Sequence, residues 1–260
     1  MTALEALILG IVQGLTEFLP VSSDGHLVMA QTLLGLTGDV LPFVVALHAG
    51  TLVALLIYFR DRLMILLRER DRRYLGKILV GTIPAVVLGV TLADRIAAAF
   101  GSPLIASAGL AATGTLLLSL AWRRDRPDGA DQPSWSGAWW IGCIQAAAML
   151  PGFSRSGSTI ALALWLGLAP KAAAEFSFLL GIPAITGALV FESGAIRAAA
   201  ESDGRGLVLL GIFAAFGAGI GAIMLVFRLL EKREFQWFGA YCWAAALAFG
   251  AWMLWGGGSA

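Results

Sequence analysis

Pro151-Gly152-Phe153-Ser154-Arg155-Ser156-Gly157-Ser158-Thr159 sets one guanidinium and four hydroxyls into an otherwise apolar neighbourhood. The run Trp139-Trp140-Ile141-Gly142-Cys143-Ile144-Gln145-Ala146-Ala147-Ala148-Met149-Leu150 precedes it, and Ile160-Ala161-Leu162-Ala163-Leu164-Trp165-Leu166-Gly167-Leu168 follows. A Pro-Gly pair ends a helix, and Ser154 or Ser156 can cap the next one. Each flanking helix, about a dozen residues long, is too short to cross a bilayer alone. An arginine at such a break is costly unless an anionic group meets it. The chain is therefore read outward from two short helices that meet at a polar, cationic tip.

The surroundings are those of a membrane. Of 260 residues, 58% are hydrophobic and 13% charged, and the mean hydropathy is +0.82. Soluble domains carry about 25% charged residues, so the composition specifies an all-α polytopic membrane protein. The net charge of +1 says nothing of nucleic acid, the basic residues sit in loops rather than in one patch, and no nucleic-acid partner is expected. Cys143 and Cys242 lie in apolar runs and read as small buried hydrophobes. No Lys or Arg precedes the first apolar run, so that segment is expected to persist rather than be cleaved.

The same layout occurs near the start. Residues 3–19 form an apolar helix bearing Gln13 and Glu17, Pro20 stops it, and Val21-Ser22-Ser23-Asp24-Gly25-His26 is a polar break before a short helix at about 26–36. Gly10/Gly142, Gln13/Gln145, Ser22/Ser154, Gly25/Gly157, Leu34/Leu166, Gly35/Gly167 and Leu36/Leu168 are identical pairs, all 132 positions apart. One offset without gaps indicates an internal repeat, with halves at approximately 1–122 and 135–257 of a single membrane domain. Three long apolar runs follow each hairpin: 41–59, 76–98 and 103–122, then 172–191, 206–227 and 236–255. The expected architecture is six transmembrane helices plus two re-entrant helix pairs, ten helices in all. An odd number of spans between the copies inverts the second, so the two tips enter from opposite faces and meet. The glycines at 81, 89, 181, 187, 217, 219 and 221 read as close helix packing.

Basic residues orient the fold. Arg60, Arg62, Arg68, Arg70, Arg72, Arg73, Lys77, Arg123, Arg124, Arg126, Lys171, Arg228, Lys232 and Arg233 fall on one side, and Arg95, Arg197 and Arg205 on the other. The rich side is cytoplasmic by the positive-inside rule, which puts both termini and the first hairpin on the extracytoplasmic side.

Joining the tips gathers Glu17, Ser22, Ser23, Asp24 and His26 with Ser154, Arg155, Ser156, Ser158 and Thr159. Gln13 lies one helical turn from Glu17 on the same face. Helix N-termini near 25 and 157 offer unpaired N–H groups, and Arg155 adds a fork suited to phosphate oxygens. Ser23 and His26 supply a nucleophile and a base, while Glu17 and Asp24 suit a divalent cation or an orienting role. Ser22 and Ser156 also fit as helix caps, and Glu17 with Arg155 as a mutually neutralising pair. His48 reads as packing or a hydrogen bond, and Glu175 as a first-turn residue favoured by the helix dipole.

Gln13-Gly-Leu-Thr-Glu17-Phe-Leu-Pro-Val-Ser-Ser-Asp-Gly-His26, with Pro151 to Thr159, closely resembles the undecaprenyl-pyrophosphate phosphatases of the bacitracin-resistance family. Ile83-Pro84-Ala85 and Glu175-Phe176-Ser177-Phe178-Leu179-Leu180 extend the likeness along nearly the whole chain. The resemblance implies a multi-pass enzyme of the bacterial cell membrane with its site open to the extracytoplasmic side. It implies hydrolysis of a polyprenyl pyrophosphate lipid, recycling the carrier for cell-wall synthesis, with magnesium or calcium as cofactor. Homodimerisation is left open. Carried over by position, Glu17 is essential and directs metal or water, Ser23 is the nucleophile, and His26 its acid/base partner. Arg155 becomes the pyrophosphate clamp, assisted by Gln13, Ser22, Ser154, Ser156 and Thr159. Gln13, Asp24 and Val44 depart from the common pattern of Glu, Thr and an acid at these positions.

Two other readings compete with this one. The type-2 phosphatidic acid phosphatase pattern would require histidine at 161, which is Ala161. A transporter or flippase for the prenyl phosphate would use the same Arg155 and helix termini but needs no nucleophile–base pair.

Overall fold

The computed structural model describes residues 1–36, 40–100, 102–123, 129–232 and 234–252, and they form helices. The first hairpin is α1 (Ala3–Phe18) and α2 (Ser23–Leu33), followed by α3 (Leu41–Tyr58), α4 (Arg60–Arg68), α5 (Arg72–Thr91), α6 (Ala93–Phe100) and α7 (Pro103–Ser119). The second is α8 (Trp135–Ala147) and α9 (Arg155–Trp165), followed by α10 (Pro170–Phe191), α11 (Ser193–Ala199), α12 (Arg205–Glu231) and α13 (Trp237–Trp252).

Local chemistry sets the hairpin boundaries. Thr2 and Glu5 form a reciprocal capping box at the start of α1, and Leu19 turns extended ahead of Pro20 at its end. With 16 residues, α1 is about 24 Å long, short of the roughly 30 Å hydrocarbon core. Both second half-helices start earlier than the sequence suggests, at Ser23 and Arg155 rather than near 25 and 157. Ser22, at φ 66°, completes the first reversal one residue before Ser23. Ser23 and Arg155 thus occupy the same position, the first residue of a half-helix, 132 residues apart.

The order of helices also recurs beyond the hairpins. α2 and α9 match at both ends, and short α4 and α11 each follow a long helix, itself just after a hairpin. Packing repeats too, with α1 lying along α12, α8 along α5, and α7 against α13. A Cβ on Gly142 would come within 2.8 Å of the Gly81 Cα, so α8 and α5 touch backbone to backbone. By contrast, Gly187, Gly217 and Gly221 face nothing within 4 Å and do not serve helix packing.

Five helical stretches among the described residues are long and apolar enough to span: Leu41–Tyr58, Arg72–Thr91, Leu104–Trp122, Pro170–Phe191 and Arg205–Glu231. The chain is an all-helical polytopic membrane protein. The sixth expected run yields α13 with 16 described residues, and positions 253–255 lie outside the description. The expected span 76–98 is instead α5, which ends at Thr91, with α6 beginning at Ala93. Ten helices were expected. The additional α4, α6 and α11 are short segments adjoining long helices, and in α4 Leu66 is buried while Arg60 and Arg68 are exposed.

Three residues of the basic side are tied to neighbours. Arg62 pairs with Glu175 at 2.7 Å and lies over the Tyr74 ring. Lys77 donates to Gln132 at 2.9 Å, and Arg123 to the Leu168 carbonyl at 3.3 Å. Glu175 is accordingly an ion-pair residue in the second turn of α10, since that helix begins at Pro170. Arg124, Arg126 and Arg233 lie outside the described residues.

Candidate active site

The hairpin tips meet. The Ser156 hydroxyl donates to the Leu19 carbonyl at 3.2 Å, and a Cβ on Gly157 would reach Pro20 at 2.9 Å. α7 holds the second tip, because Thr113 accepts from the Ser154 N–H at 2.9 Å and donates to the Gly152 carbonyl at 3.3 Å. α13 holds the first, through the buried free thiol of Cys242 on the Pro20 carbonyl at 3.3 Å.

Glu17 is the hub of the junction. Its Oε1 takes Nη2 of Arg155 in a buried ion pair across the hairpins. Its Oε2 accepts Nε2 of Gln13 at 3.1 Å and the Ser23 hydroxyl at 3.0 Å, and lies 3.7 Å from Nε2 of His48. Because Nδ1 of His48 faces the Val44 carbonyl at 3.2 Å, an acceptor, the contact with Glu17 is an ion pair when the ring carries its second proton. Arg155 Nη1 and Gln13 Oε1 are buried with no hydrogen-bond partner among the described residues.

The remaining hydroxyls have structural partners. Ser154 caps α9 by accepting from the Gly157 N–H at 3.1 Å, so capping falls to Ser154 rather than Ser156. Thr159 bonds the Arg155 carbonyl at 2.7 Å and the Ser177 hydroxyl at 2.5 Å, which fixes the backbone that carries the guanidinium. The Ser22 side chain does not cap α2, so the first-turn N–H groups of that helix take no bond from their own cap residue. A non-glycine residue at φ 66° stores backbone strain of the kind that collects at functional sites.

The structure brings Gln13, Glu17, Ser23 and Arg155 together and orients His26 differently. Ser23 donates to Glu17, whereas the His26 ring bonds the Ser22 carbonyl through Nδ1 at 2.8 Å and the Tyr241 hydroxyl through Nε2 at 2.6 Å. Asp24 has no hydrogen bond among the described residues but interacts electrostatically with His48, Glu17 and Arg155. Among the described residues no three His, Cys, Asp or Glu side chains converge as a metal-binding group.

The chain matches the family described as bacitracin resistance protein BacA over residues 6–248. It belongs to the BacA family. Its relatives include the undecaprenyl-diphosphatase of Rhodopirellula baltica, 40% identical with 94% of this chain and 95% of the relative covered. The undecaprenyl-diphosphatase of Desulfosudis oleivorans is 41% identical, covering 93% and 95%. That of Salinibacter ruber is 39% identical, covering 98% and 100%.

Within this BacA-family chain, sequence reasoning did not single out Thr113, Ser177 or Tyr241, and it weighted His48 toward packing. Thr113 and Tyr241 are single hydroxyls on distant helices with nothing in their own neighbourhoods to set them apart, whereas Ser177 lies in the Glu175–Leu180 stretch that extends the resemblance. His48 did carry a signal, as an imidazole alone in an apolar run. Val44, where an acid is common, is buried and offers His48 only its carbonyl.

Proposed function

We propose that this BacA-family protein hydrolyses undecaprenyl pyrophosphate to undecaprenyl phosphate and inorganic phosphate, recycling the lipid carrier and supporting bacitracin resistance. The observation that carries it is the Ser23–Glu17–Arg155 constellation, in a chain about two-fifths identical to proteins named undecaprenyl-diphosphatase. A carrier of prenyl phosphate needs a cation and helix termini. It has no use for a serine hydroxyl donating to a buried carboxylate.

These bonds support a mechanism of serine attack. The lipid tail lies against the spanning helices, and the pyrophosphate enters between the tips. Arg155 has Nη1 ready to donate, and the first-turn N–H groups of α2 meet the same anion. As phosphate draws the guanidinium, Glu17 is left to Ser23. Ser23 Oγ attacks the terminal phosphorus, its proton passing to Glu17 Oε2, and the bond to the bridging oxygen breaks to release undecaprenyl phosphate. Water then cleaves the phosphoserine, releasing inorganic phosphate and restoring the serine hydroxyl. His26 serves as the acid/base group one helical turn beyond Ser23.

The donors present fit a hard divalent cation, magnesium or calcium, shared with substrate phosphates rather than caged by protein alone. Asp24 and the unpartnered Gln13 Oε1 would hold it, and Glu17, whose oxygens are already engaged, suits it less. When bound, such an ion neutralises charge on the phosphate oxygens.

In the proposed topology the halves are inverted repeats, α13 is the sixth span, and the site and termini are extracytoplasmic. The common helix order at one offset supports the repeat, and the joined basic loops support a single cytoplasmic side. The test is orthophosphate release from a long-chain prenyl pyrophosphate by purified protein, with chelator, magnesium or calcium. Cation-dependent release is expected. Binding without release in any cation would reject hydrolysis in favour of the carrier.

A further inference from the structure

The His26–Tyr241 contact fixes more than a ring position. A carbonyl oxygen only accepts, so the 2.8 Å bond to Ser22 puts a proton on Nδ1 of His26. In the neutral ring Nε2 then carries the lone pair, and the Tyr241 hydroxyl 2.6 Å away donates to it. The two rings lie nearly parallel, 14° apart with centroids at 5.7 Å. Both nitrogens are therefore engaged, and the Ser22 carbonyl that orients Nδ1 belongs to the strained residue at φ 66°.

We propose that Tyr241 is the positioning residue for His26, fixing its Nδ1–H tautomer and directing Nε2 as the nitrogen that exchanges protons. This rests on the reading of His26 as an acid/base group. Nδ1 faces a carbonyl with no proton to give, so any proton reaching or leaving the ring does so at Nε2, beside the tyrosine hydroxyl. Tyr241 comes from α13, the helix that also pins Pro20 through Cys242, so one helix sets both the hairpin tip and the ring.

The chain has two histidines, which makes the test direct. Protein labelled with 15N-histidine is compared with Tyr241→Phe and His26→Ala, the latter assigning the His26 resonances by their loss. The wild-type His26 should show the Nδ1–H tautomer, and Tyr241→Phe should shift its Nε2 resonance while leaving His48 in place. In turnover, Tyr241→Phe should lower kcat about tenfold with KM nearly unchanged. Adding it to His26→Ala should cost nothing more. An unchanged Nε2 signal, or a further loss in the double variant, would overturn the proposal while leaving the role of His26 intact. Full activity in His26→Ala would remove that role, and with it anything for Tyr241 to position.

Discussion

Ser23 donates its hydroxyl to Oε2 of Glu17 at 3.0 Å, and the other oxygen of that carboxylate holds Arg155 from the opposite hairpin. The two residues of α1 and α2 come together only because the chain reverses at Ser22. On the proposed mechanism this carboxylate receives the serine proton and holds the Arg155 guanidinium between substrates.

Glu17→Gln keeps the shape and the Gln13 contact but removes the charge that accepts the proton. Phosphate release should fall by about a hundredfold or more, with membrane insertion and yield preserved. Initial rates on purified protein check this.

Arg155→Lys should fail nearly as badly as Arg155→Ala, because an ammonium cannot serve Glu17 and a phosphate oxygen as a fork does. Lipid-pyrophosphate affinity measured alongside turnover should weaken in both.

Gly181 on α10 lies against the guanidinium, where an added Cβ would come within 2.9 Å of Cζ of Arg155. Gly181→Ala should displace the arginine and lower kcat/KM by about tenfold to a hundredfold, since positioning errors of this size are costly. The variant removes no polar group, so its defect isolates placement of Arg155.

His48→Asn separates electrostatics from packing. With Nε2 3.7 Å from Glu17, the ring should matter to turnover, and activity should drop about tenfold. Thermal unfolding in detergent should shift far less than activity.

Arg62→Ala breaks the pair with Glu175 and uncovers the Tyr74 ring. It should lower stability by about 1–3 kcal/mol and leave turnover per folded molecule unchanged. Melting curves and specific activity read the two effects apart.

The half-helices were legible because Pro20 and Pro151-Gly152 punctuate apolar runs at the same spacing, and the cost of a membrane arginine pointed to Glu17. The short α4, α6 and α11 were not, since each adjoins a longer apolar or basic run whose pattern masks it. Pairing Ser23 with His26 was natural from their spacing in sequence. The ring instead turns to α13, and the serine turns back to α1, because Ser22 takes a backbone conformation that sequence does not announce. Hydroxyls on distant helices, such as Thr113 and Ser177, gain meaning only when tertiary packing brings them to the tips.

The most direct measurement is acid-quenched single turnover with prenyl pyrophosphate labelled in its terminal phosphate, comparing the wild type with Ser23→Ala. The expected result is label transiently bound to the wild-type protein at Ser23, with both label and phosphate release lost in the variant. Unimpaired release by Ser23→Ala would contradict serine attack and transfer the role to water directed by Glu17.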